Sequence, residues 1–143
     1  MLTALYVAIV FTVALMVITA YFLMGGLPLL ILKHDVPLDA RFIRGFFQIY
    51  YRAAFWAAVG ACASFALWGR LSFALGMAVI AAVAVLLQRR MLPAMLHLGG
   101  QIEGQHNGAI RQFRRVHATA LMVNVLQLAV LVWGLIQLSR QLS

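Results

Sequence analysis

The ionisable residues of this chain gather at one end of four long apolar stretches. If each stretch crosses a bilayer, nine of the eleven Lys and Arg residues share one side, namely Lys33, Arg41, Arg44, Arg52, Arg89, Arg90, Arg111, Arg114 and Arg115. All three acids and all four histidines share that side, whereas Arg70 and Arg140 lie on the other. Because Lys and Arg are retained on the cytoplasmic side of membrane proteins, this asymmetry predicts a cytoplasmic charged face and two external termini.

Composition supports a membrane protein. The chain is 65% hydrophobic and 10% charged, with a mean hydropathy of +0.98, whereas soluble domains carry about 25% charged residues. Its 143 residues suit one domain of four spans, because each span needs about 20 apolar residues. We therefore expect an all-α four-transmembrane-helix bundle, residues 1–143, in a bacterial inner membrane. No basic segment outside the spans is long enough to fold alone, so nucleic acid is not an expected partner.

Turn and breaker residues set the expected helix limits. The spans are placed at about residues 2–24, 49–68, 71–90 and 118–138. Gly25, Gly26 and Pro28 are expected to break or kink the first helix, which is too long for a signal-peptide core and is expected to be retained. The glycine-rich stretch between Pro93 and Ala109 predicts a loop or a broken helix. Small residues at helical spacing in helices two and three predict that these two form a tight hairpin.

The two halves of the chain show a short internal similarity. Leu27-Pro28 matches Leu92-Pro93, Arg44-x-Phe46 matches Arg111-x-Phe113, and Tyr50 then aligns with His117. Each half reads as a spanning helix, a Leu-Pro pair, a polar connection and a second spanning helix. The pattern is typical of a repeat related by an axis along the membrane normal; chance similarity is the alternative.

The last helix carries polar residues on one face. His117 and Asn124 are seven residues apart, two helical turns, and Gln127 lies one turn further. This Phe113-x-x-x-His117…Asn124 pattern resembles that of small four-helix membrane families that include the anthrone-oxygenase-like proteins. The resemblance implies a four-helix membrane fold and a site, with catalytic candidates His117 and Asn124, but no particular activity.

Two interpretations of these polar residues stay open. Amides within a membrane usually face the bundle interior and need partners, so Gln127 can be structural, bonded for example to Thr12 of helix one. Alternatively, the polar face lines a pocket that opens to the cytoplasm with His117 at its mouth.

The histidines and arginines suggest ligands for such a pocket. A copper, zinc or haem site would use two or more of His34, His97, His106 and His117; interfacial histidines are the alternative. The single Glu103-x-x-His106 motif is too little for a di-iron site. Guanidinium groups suit phosphate and carboxylate, so the ligand-binding candidates also include Tyr50, Gln127 and six arginines, namely Arg41, Arg44, Arg52, Arg111, Arg114 and Arg115. A lipid-anchoring surface is the alternative for these arginines.

Function narrows to two main hypotheses. In the first, the protein holds an anionic lipid or an amphiphilic small molecule in a cytoplasm-facing pocket, or serves as an accessory subunit of a larger membrane complex. In the second, it is a small membrane oxidoreductase or oxygenase, cofactor-free or dependent on a His-bound metal or haem, that acts on an aromatic or quinone-like substrate. Membrane lipids are the expected partners, and a homo-oligomer is compatible with both; a transporter of only four helices would require one.

Overall fold

Four helices and one short turn account for the described part of the chain. The computed structural model describes residues 2–31, 37–103 and 107–142, with side chains at 2–31, 41–101 and 108–141. The helices are α1 (Leu2–Ile31), α2 (Pro37–Leu67), α3 (Leu71–Glu103) and α4 (Asn107–Leu142). The all-helical fold predicted from the sequence is confirmed.

Three of these helices are long and apolar enough to cross a membrane. They are α1, α3 and α4, whose most apolar windows have mean hydropathies of 2.5, 2.3 and 2.0. Helix α2 does not reach this level among the described residues, because Arg52 and two tyrosines precede a stretch of Ala, Gly and Ser rather than Leu or Ile. Three such helices indicate an integral membrane protein.

The helices pack in cyclic order, each against two neighbours. Contacts join α1 to α2, α2 to α3, α3 to α4 and α4 to α1, with the most extensive interface between α2 and α3. Within the described residues, no backbone contact joins α1 to α3 or α2 to α4. Diagonally opposite helices therefore meet only through side chains on the bundle axis. The extensive α2–α3 interface confirms the predicted hairpin of these two helices.

A tight turn produces that hairpin. Gly69 has a φ of 82°, a left-handed conformation that glycine adopts without a Cβ penalty. The Arg70 N–H donates to the Phe65 carbonyl at 2.9 Å, and the Gly69 N–H donates to the Ala66 carbonyl at 3.0 Å. This pair of bonds is a Schellman cap, which satisfies the last carbonyls of α2. We call this end of the bundle the turn end, and the opposite one, with the arginine-rich segments, the charged end.

The helices continue at two places where breaks were expected. Helix α1 runs through Gly25, Gly26 and Pro28 to Ile31, so a break there is wrong, whereas the alternative expectation of a kink stays a prediction. Helix α3 continues through Pro93, Gly99 and Gly100 to Glu103, where a loop or broken helix was expected; Gly104 lies outside the described residues. Proline removes one helical hydrogen bond, but at membrane depth a helix with a local adjustment leaves fewer unsatisfied backbone groups than an irregular chain.

Candidate functional site

Four polar side chains from three helices meet on the bundle axis. They are Thr19 of α1, Tyr50 of α2, and Asn124 and Gln127 of α4, all of them buried. Tyr50 lies 17 residues before the end of α2, or about 26 Å from the turn end at 1.5 Å per residue. The hydrocarbon core is about 30 Å thick, so this network lies within the apolar part of the bundle and nearer to its charged end.

The Tyr50 hydroxyl is the centre of the network. It donates to Asn124 Oδ1 at 2.6 Å and accepts from Gln127 Nε2 at 3.2 Å. Gln127 Nε2 also donates to Thr19 Oγ1 at 3.1 Å, and the Thr19 hydroxyl donates to the Leu15 carbonyl at 2.8 Å. Asn124 Nδ2 donates to the Ala120 carbonyl at 2.6 Å. Both hydrogens of the Gln127 amide thus have acceptors, and Tyr50 both accepts and donates.

The network joins helices that have no backbone contact. Tyr50 and Asn124 belong to α2 and α4, which lie diagonally across the bundle. Their hydrogen bond therefore crosses the axis, and Thr19 connects it to α1. Buried polar groups with complete hydrogen bonds specify one arrangement of the helices around them.

The expected hydrogen bonding of Gln127 is confirmed, but its expected partner is wrong. The Thr12 hydroxyl donates to the Ala8 carbonyl of its own helix at 2.7 Å, and Gln127 reaches Thr19 instead. The partner differs because side chains of two antiparallel helices can bond only where they lie at the same depth in the bundle. Gln127 lies 15 residues before Leu142 at the end of α4, and the same distance from the start of α1 falls at residue 17, close to Thr19 rather than Thr12.

Aromatic rings enclose the charged-end side of the network. The Phe22 ring stacks on Tyr50 with centroids 3.9 Å apart and meets Phe47 edge to face at 4.8 Å. Phe47 in turn meets the His117 ring edge to face at 5.1 Å. His117 is fully buried and faces the bundle interior on the same face of α4 as Asn124, as the spacing of seven predicts.

Tyr51 supplies a second phenol to this region, and the sequence did not single it out. Its side chain is 1% exposed, and its ring centroid lies 5.1 Å from that of Tyr50. The Asn124 amide lies beside the Tyr51 hydroxyl but does not reach hydrogen-bonding geometry, and the hydroxyl has no hydrogen bond within the described residues. A buried polar group in that state costs about 1–3 kcal/mol, so a bound polar group at this position would be favoured.

The candidate arginines lie outside this buried region. Five of them are exposed and Arg44 is half-buried, the exposed ones being Arg41, Arg52, Arg111, Arg114 and Arg115. Arg115 also lines an open depression of about 400 Å³ between α3 and α4, together with His97 and Gln112. Five of these arginines therefore surround the charged end, whereas the exposed Arg52 lies on the outer surface at about the depth of the network.

The candidate metal ligands are only partly described. His34 and His106 lie outside the described residues, His97 is exposed, and His117 is buried beside Phe47. Among the described side chains, no group of three or more His, Cys, Asp and Glu residues could hold a metal ion. A site with two histidines, or a haem on one, stays a prediction.

Comparison with known proteins does not assign the chain to a family. No protein-family model matches it, and neither the curated proteins nor the solved structures gave a significant match. The resemblance to the anthrone-oxygenase-like families therefore rests on Phe113, His117 and Asn124 alone, and function has to be inferred from the site.

Proposed function

We propose that this protein binds an amphiphilic small molecule at the charged end of its bundle. The observation that carries this proposal is the buried Tyr51 hydroxyl, which has no hydrogen bond within the described residues and lies next to a hydrogen-bonded network. The polar end of the ligand would bond to Tyr51 and contact His117, while the surrounding aromatic rings would hold its apolar part. Ligand sites are typically apolar with a few such convergent polar groups.

The network and the arginines would have different roles in binding. Tyr50, Asn124 and Gln127 are already engaged with one another, so they form a fixed base against which a ligand can be oriented. The arginines at the rim favour an acidic ligand or an anionic lipid headgroup, because their guanidinium groups pair with phosphate and carboxylate. A docking role in a larger membrane complex would use the same charged end.

The proposal also includes a four-span topology with a cytoplasmic charged end. Helix α2 has 31 residues, which is about 46 Å of helix, and it packs between α1 and α3; both facts support a fourth span. The nine-to-two distribution of Lys and Arg supports a cytoplasmic charged end with both termini outside, in a bacterial inner membrane.

Burial agrees with the internal repeat along one stripe of each helix, but not everywhere. With Tyr50 aligned to His117, α2 and α4 both bury positions 50 and 117, 54 and 121, 57 and 124, and 64 and 131. With Pro28 aligned to Pro93, α1 and α3 do so too, at 12 and 77, 15 and 80, 19 and 84, and 22 and 87. Buried Phe47, Tyr51 and Phe65, however, align with exposed residues at 114, 118 and 132. The cyclic packing order is compatible with a two-fold axis through the bundle.

The polar site occurs in only one of the two related places. Under the same alignment, the counterparts of Thr19, Asn124 and Gln127 are Ala84, Ala57 and Gly60. None of these small residues has a polar side chain. We therefore expect one ligand per chain.

The binding proposal is tested by extracting the purified protein. Wild type should carry one small amphiphile in near-stoichiometric amount, detected by mass spectrometry of an organic extract. Tyr51→Phe should lower its amount several-fold, whereas the exposed Tyr21→Phe should not. An extract that contains no such compound, or equal amounts from both variants, would contradict the proposal.

A second candidate function is a membrane oxidoreductase. The observation in its favour is the position of His117 beside the Phe47 ring, which also meets the Tyr51 ring at 6.0 Å. A flat aromatic substrate could stack in such surroundings. Imidazole can accept a proton from a phenol or a quinol, or ligate a metal or haem. An absorbance spectrum and metal analysis of the purified protein would identify a bound cofactor.

The activity arm of that test uses a short-chain quinol. With dioxygen as the electron acceptor, His117→Gln should abolish oxidation of the quinol to the quinone, whereas Tyr21→Phe, at an exposed position outside the site, should leave it unchanged. Absence of turnover by the wild type, with no metal or chromophore bound, would remove this candidate and leave the binding function in place.

A further inference from the structure

A second cavity lies toward the turn end and begins about one helical turn beyond Gln127 of the network. It has a volume of about 430 Å³ and opens between α3 and α4, where Gly76 and Gly134 contribute to its lining. A Cβ added at either glycine would meet nothing within 4 Å. The two glycines thus leave an unfilled groove along the side of the bundle that would face lipid.

The groove changes in polarity along its length. Toward the middle of the bundle its lining includes Ile80, Val130 and Leu131, whereas Ser72, Gln137 and Gln141 line it at the turn end. On α4 the lining runs from Val130 to Gln141, about 16 Å at 1.5 Å per residue. Half of a hydrocarbon core about 30 Å thick is about 15 Å, so the groove extends through one leaflet.

The two basic residues of the turn end flank the polar end of the groove. Arg70 precedes Ser72 by two residues, and Arg140 immediately precedes Gln141. The Arg70 guanidinium lies 5.0 Å from the centroid of the Trp68 ring. Trp68 contacts Phe65, which stacks on Phe73 at 5.3 Å, and both phenylalanines line the groove. Positive charge is therefore positioned at the end where a lipid phosphate would lie.

We propose that this groove binds a single phospholipid of the leaflet at the turn end. One acyl chain would lie against Gly76 and Gly134, and the phosphate would pair with Arg70 and Arg140. Burial of an acyl chain gains little over the surrounding lipid, so the guanidinium–phosphate pairs would provide most of the selectivity. A second copy of this chain fits less well, because a spanning helix would need contact through both leaflets.

Native mass spectrometry of the protein in detergent would test this binding. The probes are phosphatidylglycerol and phosphatidylethanolamine, added separately to delipidated protein. Gly134→Leu fills the groove, and Gly45→Leu is the matched control, since Gly45 also has open space at its Cβ position but lies on α2 near the charged end. We expect wild type and Gly45→Leu to retain one phosphatidylglycerol, and Gly134→Leu to lose it several-fold.

The charge arm uses the double variant Arg70→Gln with Arg140→Gln. It should remove the preference for phosphatidylglycerol over phosphatidylethanolamine while leaving the fold intact, as judged by circular dichroism. Equal retention in Gly134→Leu and Gly45→Leu would overturn the proposal. So would a wild-type dimer that carries no lipid and dissociates in Gly134→Leu, because the groove would then be an interface between copies.

Discussion

Tyr50 and Tyr51 are adjacent in sequence and equally buried, yet their hydroxyls are in opposite states. Tyr50 donates to Asn124 and accepts from Gln127, whereas the Tyr51 hydroxyl has no hydrogen bond within the described residues. Removing a bonded hydroxyl leaves its partners unsatisfied, while removing an unbonded one relieves a desolvated group. The two positions therefore respond differently to the same substitution.

Tyr50→Phe should destabilise the protein by about 1–3 kcal/mol, because two hydrogen bonds are lost and Asn124 Oδ1 loses its donor. Tyr51→Phe, measured without ligand, should lie within about 0.5 kcal/mol of wild type or be slightly more stable. Unfolding in a mixed-detergent titration measures both. A Tyr51→Phe variant as unstable as Tyr50→Phe would show that its hydroxyl is bonded in the folded protein.

Part of the site could be predicted from the spacing of residues within one helix. The spacing of His117, Asn124 and Gln127 predicts one buried face of a helix, and the structure buries all three. Thr19 and Tyr51 could not be found this way, because their role depends on neighbours from other helices. A threonine that bonds to its own backbone, as Thr12 does, has the same local pattern as one that also bonds to another helix.

At the scale of helices, the helix ends predicted from proline and glycine were the least accurate predictions. Pro28 and Pro93 lie inside continuous helices, whereas Gly69 does end one. The difference is environment: the Trp68-Gly69-Arg70 turn lies at a helix end among other boundary residues, but Gly25 and Gly26 lie against neighbouring helices. A Cβ on Gly26 would approach Leu121 Cδ2 to 2.6 Å, so close packing explains this glycine better than a turn does.

Gly60 offers a test of close helix packing. A Cβ there would lie 2.7 Å from the Phe11 ring of α1, so Gly60→Ala should cost about 1–3 kcal/mol through overpacking, despite a gain in helix propensity of about 1 kcal/mol. Gly45→Ala, with open space around it, should be neutral or stabilising. Thermal unfolding in detergent compares the two.

A compensating change makes this test specific. Phe11→Leu should restore much of the stability lost in Gly60→Ala, since it removes the ring that the new methyl group meets. If Gly60→Ala is as stable as Gly45→Ala, then α1 and α2 are not packed as closely as the structure has them.

At the scale of the whole molecule, the segregation of charge is the dominant feature. Four helices in cyclic order place the ends rich in Arg together and leave Arg70 and Arg140 at the turn end. This arrangement could be predicted almost entirely from sequence, because topology depends on summed charge rather than on individual contacts. The proposed crossing of α2 rests instead on its length and on its position between α1 and α3, because its hydropathy is lower than that of the other three helices.

Reporter fusions should confirm the orientation. A reporter that is active only outside the cytoplasm should work when fused after Ser143 and fail when inserted near Gly100. A cytoplasmic reporter should give the reverse result. Cytoplasmic activity at Ser143 would invert the proposed topology and place the ligand site on the opposite side of the membrane.

The direction of the hydrogen bonds through Tyr50 has a consequence for ion leakage. The donors run one way, from the Gln127 amide to the Tyr50 phenol, then to Asn124 and finally to the Ala120 carbonyl. A proton relay needs groups that can each release one proton as they accept another, and neither amide nitrogen can do so. The network on the bundle axis can thus hold the helices together without forming a proton relay through Gln127, Tyr50 and Asn124.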